Sequence, residues 1–327
     1  MGLKEFRDSI REEVQGIVAS DFKIIIKETD KVPSIDDPDI TYPNLVTKEL
    51  KCKLIETCVL YIDIRKSTDL NLSHRRETMA KLYSSFVRAM ARAGSYYGGK
   101  VRNIIGDRLM VVFDSENCFT NAVNTAILMN SVSKYILNKE FPHNEVKCGI
   151  GIDYGKMLVT KTGIVKQGVE NTSNKSLVWL GRPANVASKL TDAANKTITE
   201  TKTISVPTIC EGHEYPHHEY LQWYEFDLDH FLEERVEETF SPVLKHKSDT
   251  FRCYFLSSKT ETFTTTVSTS PILMTKEVYD GYKKANPNNK TITESWGWKV
   301  QKGVSVSGYS GDIYGGDIIW SGFKEEN

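Results

Sequence analysis

No apolar run in this chain of 327 residues approaches the length of about 18 that a membrane-crossing helix needs. The opening Met-Gly-Leu-Lys-Glu-Phe is charged and has no apolar signal core, and Phe6 stands where a myristoylation signal needs Ser or Thr. The expectation is a cytoplasmic protein without a membrane partner. Neither sign of charge is in surplus: 42 Lys and Arg against 43 Asp and Glu leave a net charge of −1. That excludes a global basic field that would recruit nucleic acid or an anionic membrane, although local basic clusters are compatible with it. The six cysteines, Cys52, Cys58, Cys118, Cys148, Cys210 and Cys253, include no close pair, and several lie in apolar runs. They read as reduced thiols, not as a disulfide framework. There is no internal repeat, which excludes a solenoid.

What is present is a chain that is 39% hydrophobic, enough for a sizeable core, with alternating strand and helix signals. Leu3, Phe6, Ile10, Val14 and Ile17 recur at helical spacing with charges between them, an amphipathic helix to be packed on its own domain or on a dimer partner. Phe22–Ile26 reads as a short strand, and 28–44, rich in Asp, Pro and Ser, as a loop. From about Lys51 follow a strand at Thr57–Ile64, a helix over 74–93 with Gly94 as its stop, a hairpin 100–105/108–113 and a helix over 117–138. Strands Val146–Ile152 and Lys156–Thr160 then flank a turn at Asp153-Tyr154-Gly155, before a helix at Gly181–Ala194 led by Pro183 and a strand at 201–206. That order predicts an α+β fold, a ferredoxin-like antiparallel sheet with helices on one face. Beyond about residue 245 the texture shifts to Thr, Ser and Phe and then to Gly, Trp and Tyr, which predicts short strands and tight turns. The expected division is a helix and lead-in over 1–50, a main domain over 51–245 and a small β-rich domain over 246–327.

Two carboxylates stand out. Asp63 lies in Cys-Val-Leu-Tyr-Ile-Asp-Ile-Arg-Lys-Ser-Thr, residues 58–68, where an unpaired charge beside apolar neighbours is costly. Asp107 follows 44 residues later, in a Gly106-Asp107 dipeptide between two apolar strands that suits a two-residue hairpin turn with Gly first. A carboxylate at a strand end facing another at a hairpin tip is one way to hold two metal ions over a polyphosphate; each Asp alone reads equally as a cap or a surface residue. Asn185 and Lys189, four apart on a predicted helix, share a face that either offers an amide and an ammonium to an oxyanion or is simply solvated. Tyr61, on the same strand face as Asp63, either reaches a bound base or packs in the core. Arg65 and Lys66 precede a helix start whose amides suit phosphate. Cys210, His213, His217 and His218 have a zinc-like spacing but no convincing fourth ligand, and are set aside.

Four segments carry a resemblance to a known family over about 51–250: Tyr-Ile-Asp-Ile-Arg-Lys-Ser-Thr, Ile-Gly-Asp-Arg-Leu-Met-Val-Val-Phe, Gly-Ile-Asp-Tyr-Gly-Lys and Gly-Arg-Pro-Ala-Asn-Val-Ala-Ser-Lys-Leu. In that order they resemble the class III nucleotidyl cyclases. The resemblance implies a class III cyclase catalytic domain in which Asp63 and Asp107, helped by the Ile64 carbonyl, hold two Mg²⁺ or Mn²⁺ ions. It implies that Asn185 orients the ribose, that Lys156 contacts the triphosphate, and that Asn185 and Lys189 come from the opposite subunit of a homodimer. Lys189 occupies the place of an Arg that stabilises the transition state; Lys keeps the charge and loses the bidentate fork.

At the base-selecting positions Asn103 stands where adenylyl cyclases typically place Lys, and Val178, followed by Trp179, where they place Asp or Thr. With Leu-Val-Trp-Leu-Gly-Arg and the opening Met-Gly-Leu-Lys-Glu, the chain looks like the bacterial pyrimidine cyclases of the Pycsar anti-phage systems. In that family cyclic UMP or cyclic CMP activates a separately encoded effector. The resemblance therefore implies conversion of UTP, with CTP as the alternative, to a 3′,5′-cyclic nucleotide and pyrophosphate, with Tyr61, Asn103, Val178 and Trp179 around the base. Two rivals stay open: an adenylyl or guanylyl cyclase, and a cyclase-like domain that binds nucleotide and signals without catalysis.

Overall fold

The computed structural model describes residues 2–68, 70, 74–141, 146–166, 169–216, 220–240 and 243–324. They form two compact units, 1–197 with 268–327 and 198–267.

The first unit opens with α1 (Leu3–Val18) and β1 (Lys23–Glu28). The helical stripe predicted from the spacing is present, yet no residue of α1 is buried, and Phe6, Ile10, Val14 and Ile17 are 40–53% exposed. Strand β1 pairs in parallel with the first half of β2 (Glu49–Ile64), the strand on which the unit is built. Along β2 the even positions Cys58, Leu60, Ile62 and Ile64 are buried on one side, and Ile55 and Val59 on the other. A strand that is apolar on both faces must be covered on both. α2 (Arg76–Tyr96) and α3 (Cys118–Val132) cover the even side with Met79, Leu82, Phe86 and Met90 and with Ala122, Val123, Ala126 and Ile127. Truncating any of the large ones, Leu82→Ala for example, costs about 2–5 kcal/mol of stability.

Between those helices β3 (Lys100–Ile105) and β4 (Arg108–Val112) form the expected hairpin. Gly106 takes φ +62°, the left-handed conformation that the first position of this turn demands. Strand β5 (Cys148–Lys166) lies antiparallel to β2 from Cys148 opposite Ile64 to Val159 opposite Lys53, and β6 (Val169–Leu180) lies antiparallel to β5. The turn expected at Asp153-Tyr154-Gly155 does not form. β5 runs straight through it, because Asp153 turns inward and accepts hydrogen bonds from Thr275 and Arg182.

Helix α4 (Arg182–Ala193) covers the odd side of β2, so helices lie on both faces of the sheet, not on one. Two glycines of β5 make this possible. A Cβ on Gly149 would stand 2.5 Å from the Thr191 carbonyl oxygen, and one on Gly151 would stand 2.2 Å from that of Ala187. Without side chains there, the last turns of α4 seat directly on the strand, close to the end of β2 that carries Asp63.

The second unit holds β7 (Thr197–His213), β8 (Gln222–Asp227) and β11 (Phe251–Ser268) in the sheet order β11-β7-β8, with a hairpin of β9 (Val236–Phe240) and β10 (Val243–His246). The chain then returns to the first unit. β12 (Ile272–Thr275) pairs in parallel with β5, and after α5 (Lys276–Ala285) the short strands β13 (Lys299–Val300) and β14 (Ile313–Gly316) complete a nine-stranded sheet. The division therefore differs from the boundary expected at 245/246. The separate unit is an insertion over 198–267, and the residues after it belong to the main sheet because all four of β12 are fully buried beside Ile150–Ile152.

Candidate active site

The antiparallel pairing of β2 with β4 brings the end of one strand to the tip of the neighbouring hairpin, and so brings Asp63 to Asp107. The Ile64 N–H donates to Asp107 Oδ2 at 3.3 Å, so Ile64 joins the site through its backbone. Burial, and after it the charge of Asp63, push the Asp107 carboxyl above the ordinary aspartate value. The two adjoining carboxylates offer hard oxygen donors side by side. The donor set fits a divalent cation of the Mg²⁺ or Mn²⁺ type.

Two arginines supply positive charge here. Arg108, directly after Asp107, places Nη2 2.6 Å and Nε 3.2 Å from Asp63 Oδ2, donates through Nη1 to Ser188 Oγ at 3.0 Å, and pairs through Nη2 with Asp192. Burial pulls its guanidinium down, but Asp63 and Asp192 outweigh that and hold it above its ordinary value. Arg65 is the second. It is turned inward, its side chain only 8% exposed, with Nη1 on the Asp192 carbonyl at 3.0 Å and Nη2 3.7 Å from Asp63. Among the described residues its Nε and Nη2 have no hydrogen-bond partner, and burial lowers its pKa. Lys66 is exposed, with φ +54°.

Beside Asp63 a cleft of about 150 Å³ is lined by Tyr61, Asn103, Ile105, Arg108 and Ser188. The Tyr61 hydroxyl donates to Met110 Sδ at 3.1 Å, and burial raises its pKa, so it is neutral at pH 7. Tyr61 and Asn103 are thus brought together with the carboxylates. Asn185 and Lys189 lie on the exposed edge of α4, one face as expected, with Lys189 Nζ donating to the Ser307 carbonyl at 2.9 Å. The remaining candidates are elsewhere in the same chain. Lys156 stands opposite Glu56, seven residues back along β2 from Asp63, about 23 Å at strand rise. Val178 pairs with Thr160 and Trp179 with Val159, further still from the carboxylates. Trp179 packs on the cluster of Val59 and Met110, and among the described residues its buried indole N–H has no hydrogen-bond partner. Sequence reasoning missed Arg108, Ser188 and Asp192. The signals were there: Arg108 adjoins Asp107, and Ser188 and Asp192 follow Asn185 at helical spacings of three and seven.

In the second unit Glu211, His213 and His246 place one ligand-type atom each within 4.8 Å of one another. Glu211 and His246 are already engaged by protein partners. Arg235 Nε donates to Glu211 Oε1 at 3.0 Å, and the Ser248 N–H donates to His246 Nδ1 at 3.0 Å, which leaves the ring proton on Nε2, 2.8 Å from Glu211 Oε2. Of the zinc spacing seen in the sequence, Cys210 and His213 fall on opposite faces of β7, and His217 and His218 lie outside the described residues.

Residues 52–207 match the adenylate and guanylate cyclase catalytic domain. The chain is 31% identical over 186 residues to a uridylate cyclase of Gulbenkiania mobilis, covering 53% of this chain and 66% of that protein. It is 29% identical over 176 residues to a uridylate cyclase of Burkholderia cepacia, covering 52% of this chain and 71% of that one. Among solved structures the adenylyl cyclase CyaB of P. aeruginosa is similar over 81% of this chain and 95% of its own, at 17% identity and a TM-score of 0.48. Among the described residues no helix is long and apolar enough to cross a membrane.

Proposed function

We propose, from the match of residues 52–207 to the adenylate and guanylate cyclase catalytic domain, that this chain is a metal-dependent cyclase that converts UTP to cyclic UMP and pyrophosphate. The observation that carries the reading is the juxtaposition of Asp63 and Asp107 at one end of the sheet, beside a cleft with Tyr61, Asn103 and Arg108 on its walls. Divalent ions bound there supply charge neutralisation for the polyphosphate and favour loss of the ribose 3′-hydroxyl proton. Asp63, Asp107 and the Ile64 backbone would hold them. The 3′-oxygen attacks the α-phosphorus, the bond from that phosphorus to the bridging oxygen breaks, and pyrophosphate leaves with the electron pair. Most of what the protein contributes to such a step is position and charge: Asn185 orients the ribose, and Lys189 neutralises charge on the transferring phosphoryl group.

Two features support a site shared between the subunits of a homodimer. Asn185 and Lys189 are exposed on α4, and Lys156, Val178 and Trp179 lie at the far end of the sheet from their own chain's carboxylates. A partner chain supplies what each chain has in the wrong place. Pyrimidine preference rests on the small cleft, on the absence of the purine-reading Lys and Asp from positions 103 and 178, and on relatives that are themselves called uridylate cyclases. The cyclic nucleotide would act through a separate effector in anti-phage signalling. Purified protein incubated with Mn²⁺ and equimolar ATP, GTP, CTP and UTP tests the reading. Cyclic UMP as the main product by mass spectrometry is the expected result; no cyclic nucleotide from any of the four would leave a nucleotide-binding domain without catalysis.

A further inference from the structure

We infer that Asp192 is a positioning residue that draws Arg108 away from Asp63 and so opens that carboxylate to a metal ion. The inference rests on the reading of Asp63 and Asp107 as metal ligands. One guanidinium is divided among three acceptors: Asp63 through Nη2 and Nε, Ser188 through Nη1, and Asp192 through Nη2. Arg108 therefore sits as a cation on the same carboxylate that a divalent ion needs. A divalent ion on Asp63 competes with the arginine for the same negative charge and repels it, so ion binding favours its departure.

The structure contains the place to which it is displaced. Ser188 and Asp192 are four apart on α4 and present a hydroxyl and a carboxylate side by side to Arg108. That end of α4 is pinned. Arg65, with its side chain 92% buried, donates to the Asp192 carbonyl at 3.0 Å, and the Thr191 hydroxyl donates to the Tyr61 carbonyl at 3.1 Å. With the helix fixed on β5 by Gly149 and Gly151, Asp192 does not follow Arg108 toward Asp63. Arg108 can then exchange between two seats on one arc, Asp63 when the ion is absent and Ser188 with Asp192 when it is present. In both it stays on the wall of the cleft that Tyr61 and Asn103 share. Without Asp192, Asp63 is the one carboxylate left among the described contacts of Arg108, and the arginine competes harder with the metal.

Mn²⁺ binding without nucleotide, followed by the electron paramagnetic resonance of the free ion, tests this in wild type, Asp192→Asn, Arg108→Ala and the double variant. Asp192→Asn should weaken Mn²⁺ binding about tenfold, and Arg108→Ala should tighten it; in the Arg108→Ala background Asp192→Asn should change affinity less than about twofold. Ser188→Ala, the milder lesion, should weaken binding in the direction of Asp192→Asn by a smaller factor. An equal loss from Asp192→Asn in both backgrounds would reduce Asp192 to a distant charge and overturn the inference, as would no loss in either. Asp63→Ala separates this from the parent reading. If that variant still binds Mn²⁺ with wild-type affinity, the ion is not at Asp63, and the metal assignment falls together with the role given to Asp192.

Discussion

The Thr275 hydroxyl donates to the Asp153 carboxylate at 2.8 Å, and the two residues are joined across the whole of the inserted unit 198–267. Asp153 is fully buried, and among the described residues its Oδ2 has no hydrogen-bond partner. Burial pushes its carboxyl above the ordinary value of 3.8, against the opposing hydrogen bonds from Thr275 and the Tyr154 N–H and the charge of Arg182. Since the folded value lies above the unfolded one, the folded chain binds more protons in the window between them, and stability falls as pH rises through that window. Asp153→Asn should remove the fall. Relative to wild type it should gain stability as pH rises above the unfolded value of 3.8, read from denaturant unfolding at each pH. Parallel stability curves for the two proteins would show that Asp153 titrates in the fold as it does in the unfolded chain.

The same contact shows why part of the fold was legible in the sequence and part was not. Local chemistry carried the legible part. Gly106-Asp107 between two apolar strands specifies its own turn, and an apolar strand ending in Asp63 next to such a hairpin leads to paired carboxylates. Strand β12 has only four residues, and nothing local tells that Ile272–Thr275 lies beside Ile150–Ile152 after an excursion of seventy residues. Asp153-Tyr154-Gly155 has turn composition, and only the distant Thr275 and Arg182 make it strand. Arg108 escaped for the same reason. Its role depends on Asp192, 84 residues away on a helix whose close approach is set by glycines of a third element.

The paired carboxylates make a direct prediction. Asp63→Ala or Asp107→Ala should lower cyclisation about 10³-fold or more, since several kcal/mol of transition-state charge stabilisation is lost with the ion. The fold should survive, because neither carboxylate is part of the apolar core and Arg108 keeps Ser188 and Asp192. Far-UV circular dichroism together with turnover decides it. A folded Asp63→Ala protein that cyclises UTP at the wild-type rate would remove that residue from the mechanism.

A shared site predicts rescue between two dead variants. Asp63→Ala and Asn185→Ala, each inactive alone, should recover activity on mixing, because in a mixed dimer one of the two sites takes Asp63 from one chain and Asn185 from the other. Random exchange gives half mixed dimers with one sound site each, so roughly a quarter of wild-type activity should return. Native mass spectrometry of the mixture confirms exchange. Mixed dimers without recovered activity would mean that each site is built within a single chain.

The choice of base is the most exposed prediction, and Tyr61 is where it is tested. Its hydroxyl is neutral and donates at 3.1 Å to a thioether sulfur, Met110 Sδ, a weak acceptor that a pyrimidine carbonyl or ring nitrogen would readily replace. Asn103, on the same cleft, both donates and accepts, so it suits the uracil edge and the cytosine edge alike. Hydrogen bonding therefore favours a pyrimidine of either kind, and the preference for UTP follows from the relatives. Tyr61→Phe keeps the ring in the cleft and removes only the hydroxyl, so kcat/KM for the preferred pyrimidine should fall about tenfold, the scale of one hydrogen bond that water no longer replaces. Mn²⁺ affinity should stay within about twofold, because the hydroxyl is not a metal ligand. Equal losses for all four nucleoside triphosphates would mean that Tyr61 supports the cleft without reading the base. In product analysis, cyclic AMP or cyclic GMP as the main product would overturn the pyrimidine reading, and cyclic CMP would overturn only the choice of uracil.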